Sequence, residues 1–189
     1  MQLRRVVTVV AALNLAYFGV EFTVALTIGS VSLFADSIDF LEDASVNSLI
    51  AFALGWSAVW RSRLAMALAG ILLVPGIATL WAALHKLVAP VPPAPVALSL
   101  TAIGALVVNM TCALILQRFR AGGGSLMQAA FLSARNDVAA NIAIIAAGFV
   151  TAYTQSIWPD FLVGLAIAAI NADAAREVWQ AAREEHRQV

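Results

Sequence analysis

The sequence predicts an all-α integral membrane protein, a bundle of six transmembrane helices. Of its 189 residues, 62% are hydrophobic and 12% are charged, whereas a soluble domain carries roughly 25% charged residues. The mean hydropathy is +0.89. A transmembrane helix needs about 20 apolar residues, so this length accommodates about six spans joined by short loops.

Each gap between the apolar segments has a local cause. A Gly-Ser turn ends the first segment, and a charged Trp-Arg-Ser-Arg loop ends the second. Prolines end the third because they lack the N–H donor of a helix. A basic, glycine-rich loop and a Trp-Pro-Asp stretch bound the fifth. The predicted spans are 5–28, 32–56, 63–88, 94–117, 126–153 and 158–179.

The basic residues predict the orientation of the bundle. In a six-span arrangement nine of the ten arginines fall on one side, and the other side has only Lys86. Cytoplasmic loops carry an excess of Lys and Arg. Both termini are therefore expected in the cytoplasm, with the chain in the inner (plasma) membrane. The arginines used are Arg4, Arg5, Arg61, Arg63, Arg118, Arg120, Arg176, Arg183 and Arg187.

Four carboxylates lie in the second predicted helix, in a chain that is otherwise apolar. Asp36, Asp39 and Asp43 have the spacing i, i+3 and i+7 and share one helix face, whereas Glu42 lies off it. A carboxylate in the hydrocarbon layer is costly unless it is paired, solvated or bound to a cation. This face is therefore expected to point at protein or water.

The fifth predicted helix has a matching polar face, formed by Ser133, Asp137 and Asn141 at intervals of four. Asp39, Asp43 and Asp137 can close around a cation, with Ser133 or a water completing the shell. Oxygen ligands suit Mg²⁺, Mn²⁺ or Fe²⁺, and Zn²⁺ usually takes nitrogen or sulfur as well. Carboxylates held close disfavour one another's ionised form, so the empty site is expected to bind protons. A site that binds either the cation or protons can exchange one for the other across the membrane.

Other polar residues have simpler interpretations. Asn14 and Asn109 are interpreted as structural, since hydrogen bonds between membrane helices account for single asparagines. Asp36 is expected nearest the outer surface, where it either caps helix 2 or lines an access route. Glu21 belongs either to a second proton site or to a bond with helix 2.

The first two helices resemble the cation diffusion facilitator family. The family pattern is roughly an Asn, a Val-Glu, a Gly-Ser, an Ala-Asp, and a His or Asp followed four residues later by Asp. The segment LMQAAFLSARNDVAANIAIIAAGFV resembles the family's second motif, a His-x-x-x-Asp after Ala-Phe-Leu. VVNMTCALIL resembles its helix 4, and PDFLVGLAIAAINADAAREVW its helix 6. The first pattern lies in NLAYFGVEFTVALTIGSVSLFADSIDFLED, at Asn14, Val20, Glu21, Gly29, Ser30, Ala35, Asp36, Asp39 and Asp43.

The resemblance implies a transporter that exports divalent transition metals against protons, often as a homodimer. The family binds its metal through helices 2 and 5, at positions that correspond to Asp39, Asp43, Ser133 and Asp137. The implied partners are the lipid bilayer, protons and a divalent cation, Mn, Fe, Co or Zn. Neither a nucleic acid, an organic cofactor nor enzymatic activity is expected.

The chain departs from the family pattern in three ways. Ser133 stands where the family usually has His, which disfavours Zn²⁺. Arg135 lies in the same motif, about 200° around the helix from Asp137. It is expected to point away from the site and to form a salt bridge with Glu42. Residues 1–179 are expected to form the transmembrane domain and 180–189 a short charged cytoplasmic tail, without the family's C-terminal cytoplasmic metal-binding domain.

Two other functions fit the same residues. If Arg135 bends inward and closes the site, the chain is a non-transporting structural or regulatory membrane protein. A proton-coupled exporter of organic cations would instead use Glu21 and the helix 2 aspartates in an aromatic pocket. The aromatic residues available for that pocket are Phe18, Phe22, Phe34 and Phe40.

Overall fold

Helices make up nearly all of the computed structural model, which describes residues 2–53, 77, 79–119 and 124–187. Five long helices lie within these ranges, and a sixth helical stretch covers 79–88. The described residues include no strand, so the prediction of an all-α, six-helix bundle is confirmed. Residues 54–56 of the predicted second span, and residues 63–76 and 78 of the predicted third span, lie outside the described ranges. The helices are α1 Gln2–Ile28, α2 Val31–Ala53, α3 at 79–88, α4 Pro95–Gln117, α5 Gly124–Thr154 and α6 Trp158–Arg187.

Three described helices are long and apolar enough to cross a membrane. They contain the apolar segments Leu3–Ile28, Pro95–Gln117 and Ala130–Thr154, of 26, 23 and 25 residues. Helix α2 is 23 residues long but carries four carboxylates. Helix α6 has a shorter apolar part, Trp158–Asn171, and continues beyond the predicted end of the span to Arg187. Its last turns are rich in Ala, Glu and Arg, which favour helix.

The helices are arranged around two apolar clusters with a polar layer between them. Helix α1 packs mainly on α2 and α4 mainly on α5, while α6 and α5 both contact α2. One cluster includes Val10, Ile50 and Leu116. The other includes Leu33 and Ile144. Several buried polar side chains on α1, α2, α4 and α5 fall between these clusters along the sequence, so each of these helices adds a polar group to the same layer. They include Asn14, Glu21, Asp43, Asn109 and Asn141.

A two-residue turn joins α1 to α2. Gly29 has φ +63°, a left-handed conformation that glycine adopts without steric cost. The Ser30 amide donates back to the Ala25 carbonyl over 3.0 Å, which is the hydrogen bond of a Schellman helix end. Lys86 on α3 donates to the Gly29 carbonyl. This end of the bundle, where α1 meets α2, is called the outer end below.

At the outer end, α2 is capped by a carboxylate from α6. Asp160 accepts hydrogen bonds from the hydroxyls of Ser30 and Ser32, each over 2.6 Å. It also accepts from the backbone amides of Val31 and Ser32, over 2.9 and 3.2 Å. Ser30 itself accepts from the amide of Leu33 over 3.1 Å. The first N–H groups of a helix lack intrahelical partners, and here both a local side chain and a distant one supply acceptors.

Helices α2 and α6 approach so closely at this end that only glycine fits at 164. A Cβ at Gly164 would lie 2.6 Å from the Val31 carbonyl carbon and 2.7 Å from the Ser32 nitrogen. Gly164→Ala is therefore expected to lower the free energy of unfolding by about 1–3 kcal/mol, as overpacking does. Chemical unfolding in detergent, followed by circular dichroism, measures this. Gly19→Ala is the control because no atom lies within 4 Å of its added Cβ. Equal stability of the two variants would contradict this close approach.

Candidate functional site

The four predicted ligands lie in the polar layer, on facing parts of α2 and α5. Asp43 is buried, with 6% of its surface exposed. Asp39, Ser133 and Asp137 are partly buried. Helices α2 and α5 are in contact, and Ser133 on α5 bonds Asp43 on α2, so these parts of the two helices face each other.

Asp43 connects three helices. The Ser133 hydroxyl on α5 donates to Asp43 Oδ1 over 3.0 Å. The Asn14 amide on α1 donates to Asp43 Oδ2 over 3.4 Å, and Asn14 Oδ1 accepts from the Cys112 thiol on α4 over 3.6 Å. The sequence interpretation of Asn14 as structural did not include this contact. Asn14 and Ser133 hold the two oxygens of one carboxylate from opposite sides.

The remaining aspartates are close enough to interact through their charges. Asp39 is repelled most strongly by Asp137, and also by Asp43. Asp137 is in turn repelled by Asp43. Within the described ranges, no group of three or more His, Cys, Asp or Glu side chains has the spacing to hold a metal ion. The full ligand set therefore stays a prediction, supported by the Ser133–Asp43 bond and by these repulsions.

A second polar network lies nearer the apolar cluster that includes Leu33 and Ile144. The Asn141 amide on α5 donates to Asp36 Oδ2 over 2.5 Å, and Asn109 on α4 donates to Asn141 Oδ1 over 3.0 Å. Asn109 thus links two helices, as the structural interpretation expects. The expectation that Asp36 caps helix 2 is wrong, and its role at an access route stays a prediction. Asp36 is fully buried and lies beyond the first turn of α2, whose free amides are capped by Asp160 instead.

Arg135 lies on the exposed side of α5, as its angle from Asp137 predicts. Glu42 on α2 is partly buried. Among the described residues no ion pair joins the two side chains, so the predicted salt bridge is absent. The rotation that turns Arg135 away from Asp137 also turns it away from α2. The side chain does not fill the space between Asp43 and Asp137.

The aromatic residues form two separate groups. The rings of Phe18, Phe22 and Phe34 follow one another, with centroids 5.3 and 5.4 Å apart. Phe40 packs against Tyr17 at 5.1 Å. The Tyr17 hydroxyl donates to the Thr101 carbonyl on α4 over 2.6 Å. These contacts join α1 to α2 and α4, and the four phenylalanines do not form the single pocket that an organic cation site would need.

Comparisons with known proteins bear on this arrangement. The family model of the cation efflux transmembrane domain matches residues 7–184, which include all six helical stretches and both polar networks. A search of curated proteins returned no significant match. The match confirms the resemblance deduced from the Asn, Val-Glu, Gly-Ser and Asp-x-x-x-Asp patterns. The chain therefore belongs to the cation efflux family, whose members are membrane cation transporters.

Proposed function

We propose that this transporter exports a divalent transition-metal ion in exchange for protons, through a site between α2 and α5. The observation that carries the proposal is the hydrogen bond between Ser133 and Asp43. It joins the two helices inside the buried polar layer, beside Asp39 and Asp137, which repel each other. A buried group of repelling carboxylates is stabilised by any cation that neutralises it.

Each ligand has a distinct role in this proposal. Asp39, Asp43 and Asp137 bind the ion directly, and Ser133 binds it weakly or through a water. Asn14 donates to the second oxygen of Asp43 and so holds the carboxylate in place as the ion arrives. When the ion leaves, protons neutralise the same carboxylates, which accounts for exchange rather than simple leakage.

The surroundings of the site favour a particular setting. The arginine distribution favours cytoplasmic termini in the inner (plasma) membrane, and the family resemblance favours a homodimer. Oxygen ligands without His or Cys favour Mn²⁺, Fe²⁺ or Co²⁺ over Zn²⁺. The exposed position of Arg135 gives no support to the alternative in which this side chain closes the site.

The test of this function is metal uptake into vesicles that contain the purified full chain. A pH gradient is imposed, and uptake of Mn²⁺, Fe²⁺, Co²⁺, Ni²⁺, Zn²⁺ and Cd²⁺ is followed with an enclosed fluorescent indicator. Saturable uptake of at least one ion, faster with the gradient than without it, is the expected result. No gradient-dependent uptake of any of these ions would overturn metal–proton exchange. If no uptake is seen, isothermal titration with the same ions distinguishes a protein that binds a metal without transporting it from one that binds no metal.

Selectivity is expected to depend on Ser133. Ser133→His supplies a nitrogen ligand that Zn²⁺ prefers, so the ratio of Zn²⁺ to Mn²⁺ affinity is expected to rise about tenfold or more. Isothermal titration of both ions measures this ratio. Ser133→Ala is the control, since it removes the hydroxyl that bonds Asp43 without adding a ligand. An unchanged ratio in the His variant would remove Ser133 from the ligand set.

A further inference from the structure

Glu21 on α1 is a buried carboxyl group without a hydrogen-bond partner. None of its surface is exposed, and neither Oε1 nor Oε2 has a partner in the described part of the chain. Asp36 on α2 is equally buried, and its Oδ1 is also unpartnered. Buried polar atoms almost always have partners. Three unpartnered oxygens on two adjacent side chains therefore indicate that a ligand belongs between them.

The two side chains lie within hydrogen-bonding reach of each other. Two ionised carboxylates can only accept hydrogen bonds, whereas a protonated carboxyl group has one O–H to donate. A single proton on the pair would supply the missing bond. It would also remove one of two negative charges that otherwise face each other without water.

The surroundings determine which group carries that proton. Asn141 donates to Asp36 Oδ2, which favours the ionised form of Asp36. Glu21 receives no such donor. A protonated Glu21 donating to Asp36 Oδ1 is thus the arrangement that satisfies both groups.

The groups that act on the pair from neighbouring helices are acids. Tyr17 on α1, Asp39 on α2 and Asp137 on α5 interact with it through their charges. Helix α4 has no Asp, Glu, Lys, Arg or His. On the described part of α6, Asp160 is engaged in capping α2, and Asp173 is exposed. No described cation is among the groups that act on Glu21, so a proton is the neutralising ligand that the site can take.

We propose that Glu21 and Asp36 form a proton-binding site distinct from the metal ligands, and that it holds a proton exchanged for the metal. The inference rests on the proposed metal–proton exchange. Asp36 lies three residues before Asp39 on the same face of α2, toward the outer end. A divalent ion at Asp39 favours the doubly ionised pair and expels the proton. Departure of the ion lets the pair bind a proton again.

The first test measures protons and metal together. In vesicles containing the full chain, an enclosed pH dye reports the protons moved and a second indicator reports the metal. Glu21→Gln keeps the shape of the side chain and can still donate to Asp36 through its amide, but it cannot carry a proton. We expect it to retain metal affinity within about threefold while the number of protons moved per metal falls. Glu42→Gln, a change to a partly buried carboxyl outside both networks, is expected to leave this ratio unchanged.

The second test needs no transport and detects the proton directly. Infrared spectra are recorded across a pH series for the triple variant Asp39→Asn, Asp43→Asn, Asp137→Asn, which lacks the proposed metal ligands. The carbonyl stretch of a protonated carboxylic acid is expected to remain and to titrate. One component of this band is expected to disappear when Glu21→Gln is added. The same component is expected to shift in frequency when Asp36→Asn is added, because the protonated Glu21 then donates to an amide oxygen, so the test does not depend on one variant folding.

The two tests separate the possible failures. A titrating band that neither addition changes, or an unchanged proton-to-metal ratio in Glu21→Gln, would overturn the proton site and leave metal transport intact. A band component that Glu21→Gln removes and Asp36→Asn shifts, in a chain whose wild type transports no metal, would support proton binding by the pair and overturn the metal–proton exchange on which its proposed role depends.

Discussion

Asp43→Asn is expected to abolish metal transport, with a loss of metal affinity of at least about 100-fold. The substitution keeps the volume of the side chain and an oxygen that can accept from Ser133. It removes the negative charge that the proposed site needs to attract a divalent ion. It also replaces one of the two oxygens held by Asn14 and Ser133 with an amide nitrogen that cannot bind a metal.

The measurement combines isothermal titration of the metal with uptake into vesicles. Glu42→Gln is the matched control, because it changes the adjacent carboxyl on α2, which lies off the three-aspartate face. The thermal midpoint of each variant, measured in detergent, shows whether the protein still folds. If Asp43→Asn folds and transports at the rate of the control, the site does not lie between α2 and α5.

Asp160→Ala is expected to have the largest effect on stability. It removes the acceptor of four hydrogen bonds, two from hydroxyls and two from backbone amides at the start of α2. A hydrogen bond to a charged group contributes about 1.5–3 kcal/mol. Water at the outer end can replace part of this, so the expected loss in free energy of unfolding is roughly 3 kcal/mol or more.

Chemical unfolding in detergent measures the loss, and Asp173→Ala is the control. Asp173 is on the same helix but is exposed. Ser30 donates to Asp160 and also accepts from the amide of Leu33. A double-mutant cycle of Asp160→Ala with Ser30→Ala therefore isolates the Ser30–Asp160 bond. Additive effects of the two substitutions would mean that the Ser30–Asp160 bond contributes nothing to stability. Equal stability of Asp160→Ala and Asp173→Ala would mean that the cap as a whole contributes nothing to holding α2 and α6 together.

The helices could be predicted from the sequence because their boundaries are encoded locally. Gly29 and Ser30 form the turn at which α1 ends and α2 begins, and the prolines before Ala94 precede α4. The sixth apolar span is predicted to end at 179, with a short charged tail after it, and the helix itself continues through that tail to Arg187. The charge that marks the end of an apolar span does not end a helix, and Ala, Glu and Arg continue it to Arg187.

The facing sides of α2 and α5 could also be predicted, because spacing along a helix determines which residues share a face. Contacts between distant helices could not. The cap of α2 by Asp160 spans 129 residues of sequence, and the bond from Asn141 to Asp36 spans 105. Both depend on the rotation and axial register of each helix, which tertiary contacts set. Because the rotation of each helix is not encoded locally, the sequence predicted a salt bridge between Glu42 and Arg135, whose side chains point apart in the structure.

The turn at Gly29 has a mechanical consequence. Only two residues separate α1 from α2, and Asp160 bonds the start of α2 to α6. A tilt of α1 is therefore expected to move α2 with it. Glu21, Asp36 and Asp43 then move together as parts of one rigid α1–α2 unit. In the proposed exchange cycle, alternating access to an ion beside Asp43 would then require the α4–α5 pair to move relative to the α1–α2 unit, along the contact between Ser133 and Asp43.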